Sequence, residues 1–194
     1  MSPRTSTQNE IIRRQREMEI RETALELFAQ RGYLNTSISD IARAVGMSKG
    51  LLYNYFKSKD QLLESVLKNA FQMSESIMEP MTDNNIPALD RLRSMITTVF
   101  GLYQTHTDYL RLVHSLSLQQ NALDQFAEIL QGHQVYKMDI SIALFTELGS
   151  ENPMLDALRL GAQLGGVLIH YMHMREQYPL AEMQAAVIKE WVGE

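Results

Sequence analysis

Between positions 48 and 59 the chain carries a dense set of side chains that hydrogen-bond or stack: Ser48, Lys49, Tyr53, Asn54, Tyr55 and Lys59, with Gly50 among them. None forms a nucleophile–base arrangement, and neither a nucleophile elbow nor a glycine-rich phosphate loop occurs elsewhere. What these residues share is recognition chemistry. Lys49 suits the O6 and N7 acceptors of guanine, and Gly50 lets a backbone approach a duplex closely. Asn54 reads adenine or faces solvent. Tyr53, Tyr55 and Lys59 suit phosphate or sugar, as do Thr36 and Ser37 at the start of the preceding helix.

The elements that would hold these groups are legible around them. Ser37 and Asp40 form an S-x-x-D capping box, and Ile41, Ala42 and Val45 give the helix that follows an apolar face. Gly46 stands where a left-handed residue ends a helix, and Ser48 caps the next one. Leu52 and Phe56, four apart, point inward and leave Lys49, Gly50, Tyr53, Asn54 and Tyr55 on the other faces. Two short capped helices around a glycine turn read as a helix-turn-helix.

The run Phe28–Leu63, with F-A-Q-R-G-Y leading into T-S-I-S-D-I-A-R-A-V-G-M-S-K-G-L-L-Y-N-Y-F and then K-S-K-D-Q-L-L, resembles the DNA-binding domain of the tetracycline-repressor (TetR) family. The resemblance covers about the first third of the chain. It implies DNA contacts at the positions just named, a fourth helix that transmits movement, and a homodimer closed by a four-helix bundle of the last two helices.

Composition agrees with a soluble helical regulator. The chain of 194 residues has a net charge of −5 and no cysteine, which excludes disulfides, thiol nucleophiles and Cys-based zinc sites. Residues 1–60 hold ten Lys and Arg against seven Asp and Glu, whereas 61–194 hold eight against sixteen, so the basic end coincides with the helix-turn-helix. No signal peptide or membrane-length apolar run is present, and a cytoplasmic location is expected.

Along the chain, Met1 to Asn9 reads as a disordered tail in which Arg4 touches a phosphate, and a long helix follows from about Glu10 to Arg31. A fourth helix starts after Ser58, and Met81–Pro87 is a loop. Further helices run from Pro87 to Gln104 and from Thr107 to Gln119. Asn121 caps a segment reaching Leu148, which Gly132 divides. The last two helices span Met154–Arg175 and Leu180–Val192.

Phe100, Tyr103, Tyr109, His114, Phe126 and Tyr136, in Met- and Leu-rich surroundings, have the composition of an apolar pocket with polar anchors, and equally that of a core. They are the candidate contacts for a small apolar effector. Small residues four apart on the eighth helix (Gly161, Gly165), with Leu158 and Ile169, permit close helix approach, and Met183, Val187 and Trp191 give the ninth a matching stripe; together they form the candidate dimer surface. His170 and His173 lack a spaced third ligand, so no metal or other cofactor is expected.

The sequence therefore predicts an all-α, non-enzymatic regulator, with a three-helix DNA-binding domain over 1–60 and a helical ligand-binding and dimerisation domain over 61–194. Its partners are double-stranded DNA, a second copy and a small apolar effector, with no membrane. The alternatives are a helix-turn-helix protein governed by a protein partner, and an enzyme or carrier that retained a DNA-binding domain.

Overall fold

A computed structural model describes residues 6–117 and 124–193. Its helices run α1 (Ser6–Arg31), α2 (Ile38–Ala44), α3 (Lys49–Leu52), α4 (Lys59–Met78), α5 (Ala88–Thr105), α6 (Thr107–Ser117), α7 (Asp124–Glu147), α8 (Pro153–Met174) and α9 (Leu180–Val192), with 3-10 turns after α4 and α8. No strand occurs among the described residues.

α1 is helical from Ser6, so the helix reaches into the expected tail; Arg4 and Asn121 lie outside the described residues. Only its second half is built to pack. Ile20, Ala24, Leu27 and Phe28 recur at helical spacing and are buried, whereas Ile11, Ile12 and Met18 are exposed. Gly32, at a positive φ of 82°, turns the chain out of α1.

Two apolar cores form. The first joins that stripe to Ile38, Ile41 and Ala42 of α2, Leu52 and Phe56, and Leu62, Leu63, Val66, Leu67 and Phe71 of α4. It does not close at residue 60: Tyr109, Leu112 and Leu116 of α6, spaced by three and four, and Phe126 of α7 complete it. The second gathers Leu92, Met95, Ile96, Phe100 and Tyr103 of α5 with Ile140, Leu144 and Phe145 of α7, Ala157, Leu160 and Val167 of α8, and Leu180 and Val187 of α9. Leu110 touches both cores, so α6 straddles them.

α7 passes through Gly132 unbroken. The roughly 1 kcal/mol preference against a helical glycine is small beside the packing of the rest of α7 in the two cores. The stretch read as a loop, Met81–Pro87, begins inside a 3-10 turn, Glu79–Thr82, with Met81 buried. The reason is Arg91, which lies only 3% exposed. Its guanidinium donates to the Met81 carbonyl (3.0 Å) and the Ile86 carbonyl (2.9 Å) and pairs with Glu147, tying the loop to α5 and α7.

Candidate nucleic-acid interface

The helix-turn-helix is assembled by two caps. Ser37 Oγ accepts the Asp40 N–H (3.2 Å) while the Asp40 carboxylate accepts the Ser37 N–H (3.0 Å) and hydroxyl. Those bonds from Ser37 hold the Asp40 carboxyl below the usual carboxylate range. α2 then stops where Gly46 takes a φ of 68°. Ser48 Oγ accepts the Leu51 N–H at 3.1 Å and starts α3.

α3 itself is one turn long. The residues after it continue as tight turns, with the Asn54 N–H bonded to the Leu51 carbonyl and the Tyr55 and Phe56 N–H groups to that of Leu52. Leu52 and Phe56 anchor this segment in the first core, and Ser48, Lys49, Gly50, Tyr53 and Asn54 are all exposed on its outer side. The Lys49 ammonium lies 6.0 Å from the centre of the Tyr53 ring. A Cβ added at Gly50 would meet nothing within 4 Å, so the protein's own packing does not require glycine there. Tyr55 is half-buried.

Two expected phosphate contacts are turned inward. Thr36 is 1% exposed, and its hydroxyl donates to the Gly32 carbonyl (2.9 Å) and that of Leu27 (3.3 Å), fastening the turn between α1 and α2. Lys59 donates to the carbonyls of Tyr33 (2.8 Å) and Thr36 (3.0 Å), with its ammonium 4.2 Å over the Tyr33 ring. Two carbonyls and a ring face just beyond the end of α1 make a stronger local site for an ammonium than open solvent does. Ser37 remains exposed.

Two groups at this surface were not visible as local patterns. Arg13 Nη2 reaches the Asn54 carbonyl (3.4 Å), and its guanidinium sits 5.6 Å from the Tyr55 ring, so the start of α1 braces the end of the recognition segment. Tyr33 donates its hydroxyl to Asp60 and makes edge-on ring contacts with Phe28 (5.3 Å) and Phe126 (6.1 Å). Burial and the Asp60 carboxylate both push the Tyr33 phenol upward. Apart from the Phe28–Tyr33 pair, these contacts join residues dozens of positions apart, which periodicity does not reveal.

The family model for bacterial regulatory proteins of the tetR family matches residues 20–66. Residues 20–66 therefore form a tetR-family regulatory domain. It is 31% identical over 124 residues to the fatty acid metabolism regulator protein of Bacillus subtilis (strain 168), a match covering 62% of this chain and 63% of that protein. The chain spans 37 to 63% of the length of the first curated relatives it matches. The ketosteroid transcriptional regulator KstR2 of Mycobacterium tuberculosis has the same fold at TM-score 0.75 and 18% identity, over 90% of this chain and 94% of that one. AibR, solved with isovaleryl coenzyme A and operator DNA, matches at TM-score 0.73 and 19% identity, over 90% and 97%.

Of the six residues expected to contact an effector, four are divided between the two cores. Phe100 and Tyr103 adjoin in the second, with ring centres 5.4 Å apart, and the Tyr103 hydroxyl donates to the Leu164 carbonyl at 2.8 Å. Tyr109 and Phe126 belong to the first core. His114 is half-buried on α6, and Tyr136 on α7 is exposed. Desolvation raises the phenol pKa of both Tyr103 and Tyr109, which keeps them neutral hydrogen-bonding groups.

The dimer residues also separate. Leu158 and Ile169 are 45% and 46% exposed, and with Gly161 and Gly165 they lie on a face of α8 where an added Cβ meets no neighbour within 4 Å. Val187 is fully buried against the second core. Trp191 is half-buried: it lies against Phe145 (5.3 Å between ring centres), donates to Gln163 Oε1 (2.6 Å) and carries the Arg159 guanidinium 5.2 Å from its ring. Met183 is half-buried beside the same core.

No described helix is long and apolar enough to cross a membrane.

Proposed function

We propose that this protein is a homodimeric transcriptional repressor that binds a pseudo-palindromic operator and is released by a small apolar effector. The observation that carries the DNA half is the outer face of the recognition segment. Lys49, Gly50, Tyr53 and Asn54 are exposed together on a scaffold fixed by two serine caps. In this reading Lys49 reads base edges, Tyr53 and Ser37 hold phosphates, and two copies engage half-sites about 34–36 Å apart or somewhat more. Arg13 positions the segment from behind.

The dimer reading rests on α8. Glycines with open space beside them serve nothing inside one chain, but they allow a second helix to approach closely between Leu158 and Ile169. The effector reading rests on the buried Phe100–Tyr103 pair and on relatives whose names specify fatty acid metabolism and ketosteroid regulation. Such a ligand weakens DNA binding only by favouring the non-binding arrangement, and a coupling of about 1–3 kcal/mol lowers affinity roughly 5- to 150-fold.

A mobility-shift titration on the DNA upstream of the gene tests the proposal. Lys49→Ala is expected to change sequence preference, each lost base contact being worth about 1–3 kcal/mol. Tyr53→Ala is expected to weaken binding to all sequences alike. Absence of a specific complex at physiological salt overturns the reading, and an unchanged preference in Lys49→Ala removes the base-reading role.

A further inference from the structure

Where the apolar contact between α1 and α4 ends, a polar cleft of about 390 Å³ opens between Arg21 of α1 and Glu64, Ser65, Lys68, Asn69 and Gln72 of α4. Arg21 enters it half-buried. Its Nη1 lies at 3.4 Å from Ser65 Oγ, a long hydrogen bond, and its Nε is buried with no acceptor. Native proteins leave few buried donors in this condition, and a guanidinium cannot escape it by losing its proton.

The charge around Arg21 is also unbalanced. Among the described residues no carboxylate pairs with it. Glu64, the acid in the cleft, is held by Lys68 Nζ at 2.6 Å. One uncompensated guanidinium therefore faces a hydroxyl and the side-chain amides of Asn69 and Gln72, all able to donate to the same guest. A water molecule would satisfy the Nε hydrogen but leave the charge unmatched, whereas a tetrahedral oxyanion accepts from the planar fork and the hydroxyl at once.

We propose that this cleft is a binding site for a small phosphate-bearing anion, held by Arg21 and Ser65. Because its walls come from two helices, an occupant bridges α1 to α4, the pair that seats the helix-turn-helix. Binding is read without DNA and is therefore independent of the operator proposal.

The full chain, labelled with ¹⁵N, is titrated with inorganic phosphate and separately with methyl phosphate, at constant ionic strength against a chloride control. The Arg21 Nε–H resonance is expected to move saturably with phosphate and to stay still with chloride. A matching response to methyl phosphate identifies a site open to phosphomonoesters, and its absence one specific for the free ion; both support the proposal. Arg21→Gln is expected to lose roughly ten- to hundredfold in affinity, the scale of a charge-assisted hydrogen bond. Ser65→Ala, on an already formed helix, is expected to weaken binding and keeps the test valid if the arginine variant misfolds. An unmoved Arg21 resonance, or equal phosphate affinity in Ser65→Ala, means an adventitious ion only and overturns the proposal.

Discussion

Ser37 and Asp40 hold each other across the first turn of α2, and that small exchange orients the element on which the recognition segment rests. We predict that Ser37→Ala costs about 1 kcal/mol, measured by urea unfolding at pH 7. The pH dependence has a definite sign. Asp40 is depressed in the folded chain, so its contribution is complete above the ordinary carboxylate pKa of about 3.9 and fades as pH falls through the lower folded value. Asp40→Asn should remove that acid-sensitive part, flattening the pH 3–5 stability profile. Lys137 presents the opposite case: half-buried on α7, it has its pKa lowered by desolvation and no side-chain partner among the described residues. Its cost is therefore present below the folded pKa and disappears as pH rises towards about 10.4. Lys137→Met should raise stability by roughly 0.5–2 kcal/mol at pH 7, seen as a higher Tm.

At the scale of elements, the first core depends on helices far along the chain. Phe126 meets the Tyr33 ring edge-on, and Tyr33 in turn lies under Lys59 and bonds Asp60 at the start of α4. Phe126→Ala should therefore cost about 3–5 kcal/mol and lower hydrogen-exchange protection in α1 and α4 together. Unchanged protection there would show that the N-terminal helices stand without α7. This dependence is also a physical route by which the C-terminal helices bear on the helix-turn-helix: a shift of α7 displaces the ring that packs on Tyr33, which contacts Lys59 and Asp60.

At the scale of the whole molecule, the exposed α8 face and the buried α9 stripe make separable predictions. Ile169→Glu places a charge on an exposed face and should leave the fold intact while shifting sedimentation from dimer to monomer. Val187→Glu buries an unpaired carboxylate in the second core and should unfold the chain instead, lowering Tm sharply. If Ile169→Glu remains dimeric, the α8 pairing is wrong.

The helical elements and the two serine caps were legible in the amino-acid order alone, because a cap and an apolar repeat are written within a few consecutive residues. The ends of α2, α5, α8 and α9 fall within a few positions of where those signals put them. The same order also placed Lys49, Gly50, Tyr53 and Asn54 outside, since Leu52 and Phe56 fixed which face points inward. Where identical-looking residues went was settled by long-range packing. Lys59 had the type of a phosphate contact, but the carbonyls of Tyr33 and Thr36 and the Tyr33 ring draw it inward; the Thr36 hydroxyl bonds two further carbonyls; and Val187 fills a core instead of a surface. The aromatic set was divided for the same reason: composition alone does not allot an aromatic, and only packing assigns Phe100 to the second core and Phe126 to the first. Local pattern records what each residue offers its neighbours in the chain; which distant group accepts the offer is settled by burial and by the need to pair every polar atom that burial removes from water.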